Sequence, residues 1–227
     1  MAGSVFTGGR RVEKAGALFA WETDFEIRGE AQRYVSRGGE KLEGALEDFH
    51  VDVDGLTALD AGASTGGFTD CLLKHGCNKV FSVDVGHGQL DWRLRNDPRV
   101  VVLERTNVRY ISPDALGEQV DLAVIDVSFI SLTKIIPPVI SCVKPGGTFL
   151  ALIKPQFEVG KGQVGKGGVV RDPQKHLEVI EKIRSFVASL GCEVKGVAQS
   201  RLLGPKGNKE FFILFVRKEC GDNEDGR

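Results

Sequence analysis

Short apolar segments alternate with amphipathic segments along most of this chain, and this alternation constrains the fold more than any other feature. The predicted strands cover residues 56–60, 79–84, 100–104, 120–126, 147–153, 193–200 and 210–217. The predicted helices cover residues 67–75, 89–96, 131–142 and 173–190, and an earlier helix follows Ser36. Strands that alternate with helices form a mostly parallel sheet with helices on both faces. Because no helix separates the last two strands, we predict a seven-stranded α/β sheet that ends in an antiparallel hairpin.

The N-terminal residues differ from this α/β region. Alternating polar and apolar residues at 24–28 and glycines at 8, 9 and 16 predict two or three short strands within residues 5–30. Such a segment is too small to bury a core of its own. We therefore predict a short N-terminal segment with its linker over residues 1–33, a main domain over residues 34–218, and a disordered polar tail over residues 219–227.

Composition excludes several classes of protein. The formal net charge of −1 means that any contact with nucleic acid must depend on local basic patches. No apolar run is long enough to cross a bilayer, and the N-terminus lacks the apolar core of a signal peptide. The five cysteines are scattered without paired metal-ligand spacing. These features predict a cytoplasmic protein with reduced thiols, no metal site and no membrane partner.

A glycine-rich turn follows the first strand of the predicted sheet, where α/β sheets bind their ligands. Glycines let the backbone approach a ligand closely. An acidic residue before the turn would repel a pyrophosphate, but it suits the ammonium and sulfonium of S-adenosylmethionine. We therefore predict that this cofactor binds at Asp60, Gly62, Ser64, Thr65, Gly66, Gly67 and Phe68. A dehydrogenase remains an alternative because acidic strand ends at 60 and 84 suit either cofactor, although the third glycine of the dinucleotide motif is absent.

Polar residues at the later strand ends extend the predicted site. Asp84 closes the second strand and is expected to accept the cofactor's ribose hydroxyls, and Asn107 follows the third strand with an amide suited to an adenine edge. Asp126 closes the fourth strand, Lys154 closes the fifth, and Glu210 opens the last. Each of these three charges alone fits an ion pair as well as catalysis. Their convergence at one sheet edge favours chemistry near the cofactor's reactive end.

One further pattern lies in five segments of the chain, residues 34–42, 59–69, 84–89, 125–131 and 153–158. Together these segments resemble the TlyA-type family of ribosomal-RNA 2′-O-methyltransferases, which often carry haemolysin labels and are related to FtsJ-like enzymes. The resemblance implies a Rossmann-like, S-adenosylmethionine-dependent fold. It also implies a Lys-Asp-Lys-Glu catalytic set, which falls on Lys41, Asp126, Lys154 and Glu210. Residues 5–30 resemble only the C-terminal portion of the family's RNA-binding domain, which is similar to ribosomal protein S4.

The four-residue set predicts a definite chemistry. A ribose 2′-hydroxyl is a poor nucleophile until it loses its proton, and Lys154 is the candidate base. A lysine must be neutral to accept a proton, and a second cation at Lys41 together with partial burial favours the neutral amine. Asp126 and Glu210 oppose this effect but hold the amine in position. Orientation is therefore expected to contribute more than basicity.

A glycine-rich, basic segment over residues 160–171 is predicted to form a mobile lid, since it lacks the Gly-Lys-Ser/Thr ending of a phosphate-binding loop. With neighbouring cations it predicts a rim for the phosphates of ribosomal RNA or ribosomal subunits. The rim residues are Arg33, Arg37, Lys161, Lys166, Arg171, Arg201 and Lys206. A methyltransferase for a non-RNA substrate and a cytolysin remain alternatives, although the sequence shows no membrane-inserting segment. No pattern specifies an oligomeric state.

Overall fold

The computed structural model describes residues 5–14, 16–28, 32–160, 162–165 and 167–219, which belong to two compact units, Met1–Arg33 and Tyr34–Arg227. The smaller unit contains a three-stranded antiparallel sheet in the order β2-β1-β3. Its strands are β1 (Val5–Thr7), β2 (Arg10–Arg11) and β3 (Glu26–Ile27). All of its described residues are half-buried or exposed, and Trp21 is fully exposed. This unit therefore has no apolar core among its described residues.

The larger unit is built on a seven-stranded sheet in the order β6-β5-β4-β7-β8-β10-β9. The pairs β6–β5, β5–β4, β4–β7 and β7–β8 are parallel, and β10 is antiparallel to both β8 and β9. The strands are β4 (Thr57–Ala61), β5 (Lys79–Val83), β6 (Val100–Leu103), β7 (Val120–Ile125), β8 (Val143–Ile153), β9 (Cys192–Gln199) and β10 (Phe211–Arg217). The predicted mostly parallel sheet with an antiparallel C-terminal hairpin is confirmed.

Helices cover both faces of this sheet. They are α1 (Arg37–Phe49), α2 (Gly67–Lys74), α3 (Trp92–Arg95), α4 (Pro113–Leu116), α5 (Ile136–Cys142), α6 (Pro155–Glu158) and α7 (Pro173–Ser189). Short 3-10 helices occupy Val108–Tyr110, Leu132–Lys134 and Pro205–Gly207. Local sequence explains the longest helices. The Ser36 hydroxyl accepts a hydrogen bond from the backbone N–H of Gly38 at the start of α1, and Asp172 accepts one from Gln174 at the start of α7.

Alternate residues of the central strands point to opposite faces of the sheet and enter two apolar clusters. One cluster contains Phe149 and Phe215, whose rings stack 4.6 Å apart, and is covered by α5 and α7. The other contains Phe68 and Phe212 and is covered by α1 and α2. Strands buried on both faces read as continuous apolar runs, which explains why they were predictable.

None of the helices in the described ranges combines the length and apolar character needed to cross a membrane. The predicted polar tail lies outside the described residues, apart from Glu219.

Candidate functional site

Two cavities open at the carboxyl edge of the parallel strands, and they share part of one wall. The first cavity has a volume of about 480 Å³ and the second about 590 Å³. Gly62, Ser64, Asp126 and Ser128 line both of them. Two ligands bound in these cavities would therefore meet at a common set of side chains.

The second cavity combines an apolar wall with a few polar groups, as nucleoside sites commonly do. Val85, Val108 and Ile135 supply apolar surface. Asp84 accepts hydrogen bonds from the backbone N–H groups of Ser64, at 2.8 Å, and of Gly86, at 2.6 Å. It thereby joins the glycine-rich turn to the loop after β5, and each carboxylate oxygen keeps a lone pair for a further donor.

Asn107 also lines the second cavity, and its side-chain oxygen accepts a hydrogen bond from the backbone N–H of Arg109 at 3.1 Å. The amide thus begins the short helix Val108–Tyr110, and its NH₂ group remains available as a donor.

The glycine-rich turn is shaped by close packing. A Cβ atom on Gly62, whose φ is +98°, would lie 2.6 Å from the carbonyl oxygen of Asp126. A Cβ atom on Gly67 would lie 2.2 Å from Ser36 Oγ. Gly62, Ser64, Thr65, Gly67 and Phe68 line the first cavity. Gly66, by contrast, packs against Leu94 of α3 and lines neither of the two cavities.

Asp60 is fully buried beneath the turn and lines neither cavity. Its Oδ2 accepts hydrogen bonds from the backbone N–H and the hydroxyl of Thr69, at 2.9 and 2.7 Å, so it holds the first turns of α2. Its Oδ1 has no hydrogen-bond partner among the described residues. Burial raises the pKa of this carboxyl to about 7; the Thr69 hydrogen bonds oppose the rise, and the charge of Asp126 adds to it. The structure therefore places Asp60 behind the predicted cofactor site.

The four residues Lys41, Asp126, Lys154 and Glu210 form two ion pairs beside the first cavity. Lys41 Nζ lies 2.6 Å from Glu210 Oε2, and Lys154 Nζ lies 2.5 Å from Asp126 Oδ1. Lys41, Asp126 and Lys154 line the cavity, whereas Glu210 is fully buried behind Lys41. The arrangement presents two amines, each held by a carboxylate, to a molecule in the first cavity.

Strand register explains why these groups meet. Phe211 of β10 lies opposite Ile153 of β8, so Glu210 and Lys154 are neighbours at the sheet edge. Side chains alternate between the two faces along each strand, and this alternation places Asp126, Lys154 and Glu210 on the face that α1 covers. Lys41 projects from α1 toward the same face. Gly204 is required beside this cluster because a Cβ there would lie 2.0 Å from Glu210 Oε1.

The comparisons with known proteins agree with this geometry. The profile of the FtsJ-like methyltransferase family matches residues 34–217. The chain belongs to the FtsJ-like methyltransferase family. The 16S/23S rRNA (cytidine-2′-O)-methyltransferase TlyA of Mycobacterium tuberculosis (strain ATCC 25618 / H37Rv) is 49% identical over 213 residues, which cover 93% of this chain and 80% of that protein.

Two further relatives carry a hemolysin name. Hemolysin A of Brachyspira hyodysenteriae is 40% identical over 217 residues, or 95% of this chain and 90% of that protein. A solved hemolysin-labelled structure from Streptococcus thermophilus is 43% identical, has a TM-score of 0.82, and aligns over 96% of this chain and 80% of its own. The predicted family and methyltransferase fold are confirmed.

The predicted cationic rim is only partly assembled at this methyltransferase site. Arg37 lines the first cavity and donates a hydrogen bond to the Leu203 carbonyl at 3.3 Å. Arg201 instead pairs with Glu47 and Asp48 of α1, and these carboxylates raise the pKa of its guanidinium.

Other predicted rim residues lie elsewhere. Arg171 and Lys206 are exposed but line neither cavity, and Arg33 lies in the smaller unit. Lys161 and Lys166 lie outside the described residues. Arg37 is therefore the rim residue that the structure brings to the first cavity.

Sequence reasoning missed Ser128 and Glu158. The Ser128 hydroxyl accepts a hydrogen bond from Lys154 Nζ at 2.9 Å. Glu158, buried at the end of α6, accepts hydrogen bonds from the Ser131 hydroxyl at 2.6 Å and the Leu132 backbone N–H at 2.7 Å. Both residues lie in segments that carry the family resemblance, where a hydroxyl two residues after Asp126 was the available signal.

Proposed function

We propose that this methyltransferase moves a methyl group from S-adenosylmethionine to a ribose 2′-hydroxyl of ribosomal RNA, in the cytoplasm. The observation that carries the proposal is the pair of lysine–carboxylate contacts, Lys154–Asp126 and Lys41–Glu210, beside the first cavity. Asp126 also lines the second cavity, which suits a nucleoside-bearing cofactor. The rRNA (cytidine-2′-O)-methyltransferase name of the 49% identical relative supports the same substrate.

The second cavity fits the cofactor. The glycine-rich turn can lie against the Asp126 backbone because Gly62 has no side chain. Asp84 keeps lone pairs that can accept hydrogen bonds from the two ribose hydroxyls. Val85 and Val108 offer apolar surface to an adenine ring, and Asn107 offers its NH₂ group to the ring edge. When bound, the cofactor supplies a methyl group made electrophilic by a sulfonium centre.

The first cavity fits the acceptor. Lys154 removes the 2′-hydroxyl proton, and Asp126, 2.5 Å away, stabilises the ammonium that results. The sugar oxygen would then use its electron pair to bond to the methyl carbon, while the methyl–sulfur bond breaks and its electron pair stays on a neutral thioether sulfur. Lys41 also lines the first cavity, where its positive charge stabilises the negative charge developing on the sugar oxygen. Glu210 fixes the position of the Lys41 amine.

RNA contact outside the cavity is assigned to positive side chains near its mouth. Arg37 is exposed at the rim of the first cavity and is placed to meet a phosphate. Arg171 and Lys206 are proposed to extend this contact along the RNA, and the N-terminal segment 1–33 is proposed to bind RNA by itself.

The direct test is to incubate the protein with isotopically labelled S-adenosylmethionine and intact ribosomal subunits, and then to digest the RNA to nucleosides. The proposal predicts one labelled 2′-O-methylnucleoside at a defined position and no labelling of free nucleosides. Label on a base, or on small acceptors but not on ribosomal subunits, would contradict it.

A further inference from the structure

The amine of Lys154 has a hydrogen-bond partner in addition to its ion pair with Asp126. Its Nζ donates to Ser128 Oγ at 2.9 Å, while Asp126 Oδ1 lies 2.5 Å from the same nitrogen. Only about 10% of the Lys154 side chain is exposed, and this part faces the first cavity. Ser128 lines both cavities, so its hydroxyl lies where the cofactor and acceptor sites meet.

The loop that carries Ser128 is held in an unusual conformation. Phe129 has a φ of +64°, in the left-handed region that residues with a side chain rarely adopt. Its ring packs 5.0 Å from that of Phe157, and Glu158 binds the same loop through Ser131 and Leu132. Phe157 and Glu158 of α6 therefore hold the loop after β7 in place, and both residues closely follow Lys154 in the chain.

Hydrogen bonds to the N–H groups of a neutral lysine amine determine where its lone pair can point. A neutral amine has two N–H groups and one lone pair in a tetrahedral arrangement, and only the lone pair accepts a proton. Ser128 accepts a hydrogen bond from the amine, and the Asp126 carboxylate lies in ion-pair contact with the same nitrogen. These two contacts restrict the amine, and its remaining exposed side lies at the first cavity.

We propose that Ser128 is a positioning residue for the base: its hydroxyl holds one N–H group of the neutral Lys154 amine beside Asp126 and so directs the lone pair at the acceptor hydroxyl. The inference rests on the proposed function of Lys154. It assigns orientation, rather than charge stabilisation, to the hydroxyl of Ser128.

These two roles differ in the sign of their effect. If Ser128 only stabilised the ammonium, its removal would increase the fraction of neutral lysine and accelerate the reaction near neutral pH. If Ser128 orients the neutral amine, its removal slows the reaction at every pH. A loss of orientation therefore appears as the same fold-decrease at acidic and alkaline pH.

The test compares the full-length wild type with Ser128→Ala and Ser128→Thr in single-turnover methyl transfer to ribosomal subunits, from pH 6.5 to about 10. Ser185→Ala, at an exposed serine of α7 whose hydroxyl donates a hydrogen bond to Glu181, controls for handling. Cofactor affinity of each protein is measured in parallel by calorimetry.

We expect Ser128→Ala to lower the rate roughly 10- to 100-fold across the whole pH range, with cofactor affinity within about twofold of wild type. Ser128→Thr, which keeps the hydroxyl, is expected to recover most of the rate. A Ser128→Ala rate above half of wild type, an acceleration near neutral pH, or a loss matched by weaker cofactor binding would overturn the inference. Absence of transfer by the wild type would instead refute the proposed function.

Discussion

The Lys41–Glu210 pair offers a quantitative separation of stability from catalysis. Lys41 is 9% exposed and Glu210 is fully buried, and their charged atoms are 2.6 Å apart. Removing one partner of such a pair leaves an uncompensated buried charge and costs about 3–5 kcal/mol, whereas replacing both is often nearly neutral. Glu210→Gln and Lys41→Met are therefore each expected to destabilise the fold by about 3–5 kcal/mol.

The double variant is expected to lie within about 2 kcal/mol of wild type, which gives a coupling energy of at least about 4 kcal/mol. Urea unfolding followed by circular dichroism measures the free energies, provided the slopes agree among the four proteins. Methyl transfer should fail to recover in the double variant even though stability does, because the cavity has lost an amine.

An exposed pair provides the matched control. Lys79 and Glu118 are 2.7 Å apart, with side chains 38% and 43% exposed, and the same substitutions there should couple by less than about 1 kcal/mol. If the two effects at Lys41 and Glu210 add within about 0.5 kcal/mol, the buried pair is not the energetic unit described above.

Three further changes test other parts of the site. Because folding raises the pKa of Asp60 from 3.8 to about 7, its contribution to stability falls as pH rises through this interval. In urea unfolding, the free energy of unfolding of Asp60→Asn relative to wild type should therefore rise by roughly 2–3 kcal/mol between pH 5 and 8. A difference between the two proteins that does not change with pH would refute this. Gly62→Ala should weaken cofactor binding at least about tenfold in calorimetry because of the backbone contact across the turn, whereas Gly55→Ala, also at positive φ but in open space, should not. Arg37→Ala should weaken RNA binding and reduce the slope of log affinity against log salt concentration by about 1. Arg201→Ala should have neither effect because Arg201 is already ion-paired, and equal effects of the two substitutions would contradict the role of Arg37 in phosphate contact.

The carboxyl ends of the parallel strands were predictable because apolar runs stop abruptly at polar residues. Asp84, Asp126 and Lys154 each follow the last residue of a strand, and each lines a cavity. Asp60 looked equivalent, but β4 continues to Ala61. One extra residue in the strand turns the Asp60 side chain into the packing between the sheet and α2, where it bonds to Thr69.

Contacts between distant parts of the chain were not predictable from local pattern. Lys41 reads as a surface charge of an amphipathic helix, and only the family resemblance assigned it to the site; its partner Glu210 is 169 positions away. Arg201 reads as a free cation, yet its carboxylate partners lie about 150 positions earlier in α1. The four-residue helices α4 and α6 are too short for a periodic apolar pattern to appear.

The central claim is that Lys154 performs the chemistry without holding the cofactor. The most direct measurement pairs calorimetry of cofactor binding with methyl transfer to ribosomal subunits for Lys154→Ala, using Lys144→Ala, an exposed lysine paired with Asp121, as control. We expect Lys154→Ala to bind the cofactor within about threefold of wild type and to lose at least about 100-fold in transfer rate, with the control unchanged. Intact binding together with intact turnover in Lys154→Ala would contradict the account.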